Sequence, residues 1–302
     1  MSLAALALVL GAAVLHAAWN LAAQQVAERF ALLAWAMAGG AVLASPLLAG
    51  AEALPGWAWA AAAASGVLNC CYFVALAAAY GRGDFSVVYP VARGAAPLFL
   101  TAGSIVLLGE RPGPAGLAGL GLVVAGLVVM TSPSGRGSVV PAEPEPAAMA
   151  ARVPRRAAGT GTALLVAALI AAYSLVDGAA VHFVPPAPYS ALVFLFTASA
   201  LLPLMVARLG WSAPLGVLRR HWRRIALVGG LSFIAYLLVL HAYAVSPVAY
   251  AGAVRESSVV VAALAGWLLL GEPLGLRRTA GSLLLLAGVL TLAAAGPVRG
   301  KG

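Results

Sequence analysis

The stretch YPVARGAAPLFLTAGSIVLLGERPGPAGLAGLGLVVAGLVVM, residues 89–130, decides how this chain is built. An apolar run carries one arginine, Arg93. A break at Gly109-Glu110-Arg111-Pro112 follows, and a second apolar run carries Gly119 and Gly126. At an offset of 162 positions the same order returns as Arg255, Gly271-Glu272, Gly281 and Gly288. Matches among Leu, Ala and Gly carry little weight in so apolar a chain. The Arg and Glu carry it, because only 9% of the residues are charged. A chain that repeats its rarest residues at one offset is built from two copies of one unit.

Composition sets the class. Of 302 residues 63% are hydrophobic, against ~45–50% in soluble domains, which indicates a polytopic membrane protein in contact with a lipid bilayer. The formal charge of +9 sits in short loops between apolar runs. There it reads as a topology signal, so no nucleic-acid partner is expected. Cys70 and Cys71 are helical neighbours that point to different faces, which argues against a disulfide or a metal pair. The apolar run from Leu3 lacks a basic leader and reads as a spanning helix rather than a signal peptide. No metal or cofactor is expected, since no phosphate-binding loop and no HExxH or GxSxG spacing occurs.

Apolar runs long enough to span, at ~20 residues each, occur at about 3–23, 30–50, 57–80, 86–108 and 115–131, and again at about 159–181, 188–208, 224–245, 248–270 and 277–295. The expected organisation is a first five-helix unit over 1–131 and a flexible, proline-rich linker over 132–158. A second five-helix unit covers 159–295, and a short basic tail covers 296–302. Five is odd, so a second copy inserts upside down. The fold class is therefore an all-α membrane protein with ten transmembrane helices as a 5+5 inverted-topology repeat. Thirteen of the eighteen basic residues fall on the linker side, three on the side of the termini, and Arg93 and Arg255 within spans. The positive-inside rule then places the linker and the 208–224 loop in the cytoplasm and both termini outside a cell (cytoplasmic) membrane.

Two five-helix halves, each closing with a Gly-Glu break and a Gly-x6-Gly helix, resemble the EamA domain pair of the drug/metabolite transporter superfamily. Ala17-Ala18-Trp19-Asn20 is similar to the aromatic-polar step in that family's first helix. The resemblance covers nearly all of the chain apart from the linker. It implies a ten-helix carrier with a central cavity lined by the first, third, fourth, sixth, eighth and ninth spans. It also implies that the fifth and tenth spans hold the halves together. Small multidrug carriers of the superfamily use a first-helix glutamate, which is absent here. Many relatives are expected to keep their termini in the cytoplasm, against the arginine distribution of this chain.

An arginine at membrane depth costs at least ~2.5–3.5 kcal/mol, so it should face a cavity or a partner. Arg93 and Arg255 either bind an anionic or zwitterionic substrate or merely pair with Glu256, Asp177 or backbone carbonyls. Helical spacing sets Tyr89 on the face of Arg93, groups His16, Trp19 and Asn20 on one face, and places Tyr173 with Asp177. Asn69 and Tyr236, on the third and eighth spans, complete the expected substrate-binding set. Glu256, Asp177 and His241 are the candidates for proton coupling, together with His16. Glu110 and Glu272 read as helix-capping carboxylates, and Gly119, Gly126, Gly281 and Gly288 as close-packing positions. Trp57, Trp59, Trp211 and Trp222 read as interface anchors.

The expected function is secondary transport of a small organic metabolite by alternating access, as a monomer or homodimer, with export and proton coupling as the leading version. The alternatives are an uncoupled facilitator, an intramembrane enzyme and a non-transporting receptor.

Overall fold

The computed structural model describes residues 1–24, 26–82, 85–131, 146–270 and 275–295. Within them the side chains at 24, 50–52, 77–91, 131, 146–160, 266, 269 and 270 are left undescribed. The elements are α1 Leu3–Gln24, α2 Arg29–Ala44 with a 3-10 extension Ser45–Ala53, α3 Gly56–Arg82, α4 Phe85–Leu107 and α5 Pro114–Thr131 in the first half. The second half has α6 Pro146–Val181, α7 Pro186–Leu209, α8 Ser212–Val245, α9 Val248–Arg255, α10 Ser258–Leu270 and α11 Gly275–Ala294. Among the described residues eight helical stretches are long and apolar enough to cross a membrane, with α9 and α10 counted together as Val248–Ala265. Two more apolar stretches, Ala92–Leu107 and Pro114–Met130, are shorter.

The helix bounds depart from the sequence reading in three places. α6 begins at Pro146, inside the stretch read as linker. Proline suits a first helical position, and the Ala147-Ala148-Met149-Ala150-Ala151 run that follows has high helix propensity. α8 begins at Ser212 rather than near 224 and bends at His221, whose φ of −122° and ψ of 19° are not helical. The ninth span, read as one helix, is broken at Glu256-Ser257 into α9 and α10.

The halves interleave. α1 packs on α8 and α6 on α3; α2 packs on α8 and α7 on α3; α4 packs on α6, and α9 and α10 on α1. Each pairing has its counterpart when the halves are exchanged, while α2 with α7 and α5 with α11 pair with their own counterparts. The α5–α11 crossing is made by the repeated glycines. A Cβ at Gly126 would lie 2.7 Å from the Gly281 carbonyl oxygen, and one at Gly288 would lie 2.8 Å from that of Gly119. No side chain fits there, so the backbones meet directly. Position 119 faces 288 and position 126 faces 281, so the two helices run antiparallel. The two copies of the repeated helix therefore point opposite ways.

The ends of the bundle are equally ordered. The Met1 ammonium donates to the Ala295 carbonyl at 3.1 Å, so residues 1 and 295 share one face. Trp57 packs against Phe183 at 6.3 Å. Arg220 pairs with Glu28 at 3.0 Å, and Trp35 Nε1 donates to the Pro214 carbonyl at 3.0 Å. Trp57, Trp59, Trp211 and Trp222 are all exposed.

Candidate functional site

A cavity of about 90 Å³ lies where both halves meet, room for roughly six to nine waters at ~10–15 Å³ of sphere-centre space each. Its walls come from α1, α2, α3, α4, α6, α7, α8 and the last residue of α9. Of the residues read as substrate-binding, His16, Trp19, Asn69, Arg93, Tyr173, Tyr236 and Arg255 line it. Asn20 does not; its amide donates to the His16 carbonyl one turn back, at 2.8 Å. The side chain of Tyr89 lies outside the described residues. The sequence reading missed α2 and α7, which supply Met37, Val193, Phe194 and Thr197. Those positions sit in continuous apolar runs, where no spacing singles them out.

The two repeated arginines have different surroundings. Arg93 Nη1 donates to Glu256 Oε2 at 2.9 Å, and Glu256 is only 1% exposed. Arg93 Nη2 lies 3.1 Å from His16 Nε2. A guanidinium has no acceptor, so Nε2 accepts and the imidazole is neutral with its proton on Nδ1. His16 also meets Trp19 edge to face at 4.9 Å. Arg255 lines the cavity, and among the described residues no hydrogen bond or ion pair reaches its guanidinium. Its helix ends beside it. Glu256 N–H donates to the Ala253 carbonyl and Ser257 N–H to that of Val254, three-residue bonds that close α9 before α10 starts at Ser258. The break holds no proline or glycine. It separates two neighbours with opposite tasks, Glu256 toward Arg93 and Arg255 toward the cavity. Irregular backbone at membrane depth persists where it is enclosed by protein, and Glu256, Ser257 and Ser258 are buried.

Asp177, a candidate for proton coupling, lies four residues before the end of α6. It is 1% exposed. Both carboxylate oxygens are taken, Oδ1 by the Tyr189 hydroxyl at 3.1 Å and Oδ2 by that of Tyr236, with Ser65 beside them. Tyr189 and Ser65 were not singled out in the sequence, because their partners are 12 and 112 positions away. His241 Nδ1 donates to the Leu237 carbonyl at 2.8 Å and does not line the cavity. Four buried hydroxyls, of Ser174, Tyr243, Ser257 and Ser258, have no hydrogen-bond partner among the described residues.

Glu110 was expected to cap the helix that follows it. Its carboxylate instead accepts from Val248 N–H at 2.6 Å and Ala249 N–H at 3.3 Å, at the start of α9 in the other half. Gly109, at φ +68°, turns the chain out of α4, and Glu110 N–H returns to the Ser104 carbonyl at 3.1 Å, the bonding of a glycine-ended helix. α5 opens with Pro114, which has no N–H to cap. The first N–H groups of α9 are buried after Pro247 and need an acceptor. Glu272 lies outside the described residues.

The fold is similar to that of a solved structure described only as "Crystal structure of protein". That chain is 19% identical, with a TM-score of 0.74, over 97% of this chain and 98% of the other. No curated protein sequence matches. Residues 3–132 and 157–294 each match the EamA-like transporter family. With both halves covered, the chain belongs to the EamA-like transporter family of the drug/metabolite transporter superfamily, whose members move small molecules across membranes.

Proposed function

We propose that the protein is a ten-span secondary carrier for a small organic metabolite, working by alternating access at the cavity between its halves. The observation that carries this reading is Arg255: a guanidinium at a helix break with no hydrogen bond or ion pair among the described residues, facing a partly aromatic space to which both halves contribute. A charge kept at membrane depth without an internal partner is a binding group in waiting. The antiparallel α5–α11 crossing supports a rocking motion of the halves about that space. No chemical step is part of the proposal.

Glu256 is the proposed coupling residue. A neutral Glu256 would release Arg93 and leave two guanidinium groups on the cavity, so proton uptake there and binding of an anionic substrate favour one another. Asp177 is held by tyrosines and His241 by a backbone carbonyl, which leaves neither facing the cavity. The Arg distribution supports a cytoplasmic face formed by the linker and the 208–224 loop, with the termini outside; export is taken as the working direction from the family resemblance alone. The carrier acts as a monomer or homodimer.

Counterflow in proteoliposomes tests the reading. Vesicles loaded with a metabolite mixture should concentrate a labelled member of it, and Arg255→Ala should remove the uptake. An imposed pH gradient should drive flux in the native chain and not in Glu256→Gln. Uptake unchanged by Arg255→Ala would remove the proposed site.

A further inference from the structure

The charges on the cavity wall point to a substrate class. This step rests on the carrier reading above and narrows it. Among the described residues two cations, Arg93 and Arg255, line the space, and no acidic side chain does. Arg93 is already neutralised by Glu256, and His16 accepts from it as a neutral ring. That leaves one net positive charge, on Arg255.

The other acid in the neighbourhood does not balance it from within the cavity. Asp177 is 1% exposed and both of its oxygens accept from tyrosine hydroxyls. What reaches the cavity there is Tyr236 itself. A substrate ammonium would have to displace that hydroxyl or rest on neutral groups alone. The remaining walls combine rings, chiefly Trp19, Phe73, Phe194 and Tyr173, with aliphatic side chains and a few neutral polar groups.

We infer that the site selects a compact organic monoanion, a carboxylate on an apolar or aromatic body, and discriminates against both the corresponding amino acid and the corresponding amine. The guanidinium fork of Arg255 matches a carboxylate with two parallel hydrogen bonds. The rings take the apolar body. A zwitterion brings the same carboxylate, but its ammonium loses water without gaining an ionic partner. The cavity volume suits a body on the order of ten non-hydrogen atoms.

The test uses three probes with one apolar body: 3-phenylpropanoate, phenylalanine and 3-phenylpropylamine. Binding to the full chain in detergent micelles is measured by calorimetry. The carboxylate should bind, phenylalanine should bind at least tenfold more weakly, and the amine should not bind. Arg255→Gln should weaken the carboxylate at least tenfold, while Arg220→Gln, at an exposed pair, should leave it unchanged. The order of the three probes on the native chain stands as a test even where Arg255→Gln misfolds. Phenylalanine or the amine binding as well as the carboxylate overturns the inference, and so does the absence of carboxylate binding or its persistence in Arg255→Gln. Proteoliposome flux separates the two proposals. Binding in the expected order without flux refutes the carrier and keeps the substrate class. Flux of the amino acid in preference to the carboxylate does the reverse.

Discussion

Removing either partner of the Arg93–Glu256 pair should destabilise the protein by different amounts, and the difference follows from what each survivor still touches. Truncating one member of a buried ion pair costs ~3–5 kcal/mol, because a desolvated charge is left behind. In Arg93→Gln the survivor is Glu256, 1% exposed and losing its 2.9 Å partner. The cost should lie at the upper end of that range. In Glu256→Gln the survivor is Arg93, with 17% of its side chain exposed on the cavity and His16 Nε2 still at 3.1 Å. Water and the imidazole relieve it, so about 2–3 kcal/mol is expected, nearer the value for a lost charged hydrogen bond. The double variant Arg93→Gln/Glu256→Gln strands no charge. It should be more stable than Arg93→Gln alone, with a coupling energy of about 2–4 kcal/mol. Unfolding in mixed detergent micelles, followed by helical circular dichroism for all four proteins, gives the cycle. A coupling below about 0.5 kcal/mol, or a larger loss in Glu256→Gln than in Arg93→Gln, would refute the reasoning.

Three further outcomes are expected. Gly126→Leu should cost ~1–3 kcal/mol or more, since a Cβ there already meets Leu285 N at 2.6 Å; Gly121→Leu, with nothing within 4 Å, serves as the neutral control in the same thermal melt. Glu110→Ala should raise hydrogen exchange at the Val248 and Ala249 amides, with a stability loss of ~0.5–2 kcal/mol; unchanged exchange would mean that the cap contributes nothing. Tyr189→Phe and Tyr236→Phe should each cost ~1–3 kcal/mol by leaving an Asp177 oxygen unpaired, and infrared difference spectra against Asp177→Asn should show a shifted carboxylate band in both.

The parts of this architecture that depend on rare residues were legible in the sequence. Two arginines and a repeated Gly-Glu stand out against an apolar background, and their common offset exposes the duplication. The paired glycines could be read as contacts, because small residues in apolar helices have few other uses. Contributions from common residues were not legible. Phe194 and Thr197 lie in an unbroken apolar run, so nothing marks the face of α7 that meets the cavity. Long-range partners were hidden for another reason. The acceptor for the α9 amides is 138 positions from Val248, and only the interleaving of the halves brings it there. The break after Arg255 also left no trace, since it uses neither proline nor glycine. The two arginines, equivalent by offset, acquire different roles because, among the described residues, Arg93 alone of the two is ion-paired to Glu256.

α9 has eight residues, a rod of about 12 Å at ~1.5 Å per residue. Its first amides are gripped by Glu110 from the opposite half, and its last residue is Arg255 on the cavity wall. Set off from α10 by a two-residue break at one end and clasped at the other, it has the form of a short lever. A displacement of the loop between α4 and α5 that carried Glu110 with it would draw on the first turn of α9, and a tilt of that helix would shift the guanidinium that faces the cavity. Conversely, an anion drawing on Arg255 pulls on the clasp at the rim. Rim and centre are thereby mechanically joined through one two-turn helix, with no long chain of intermediates between them.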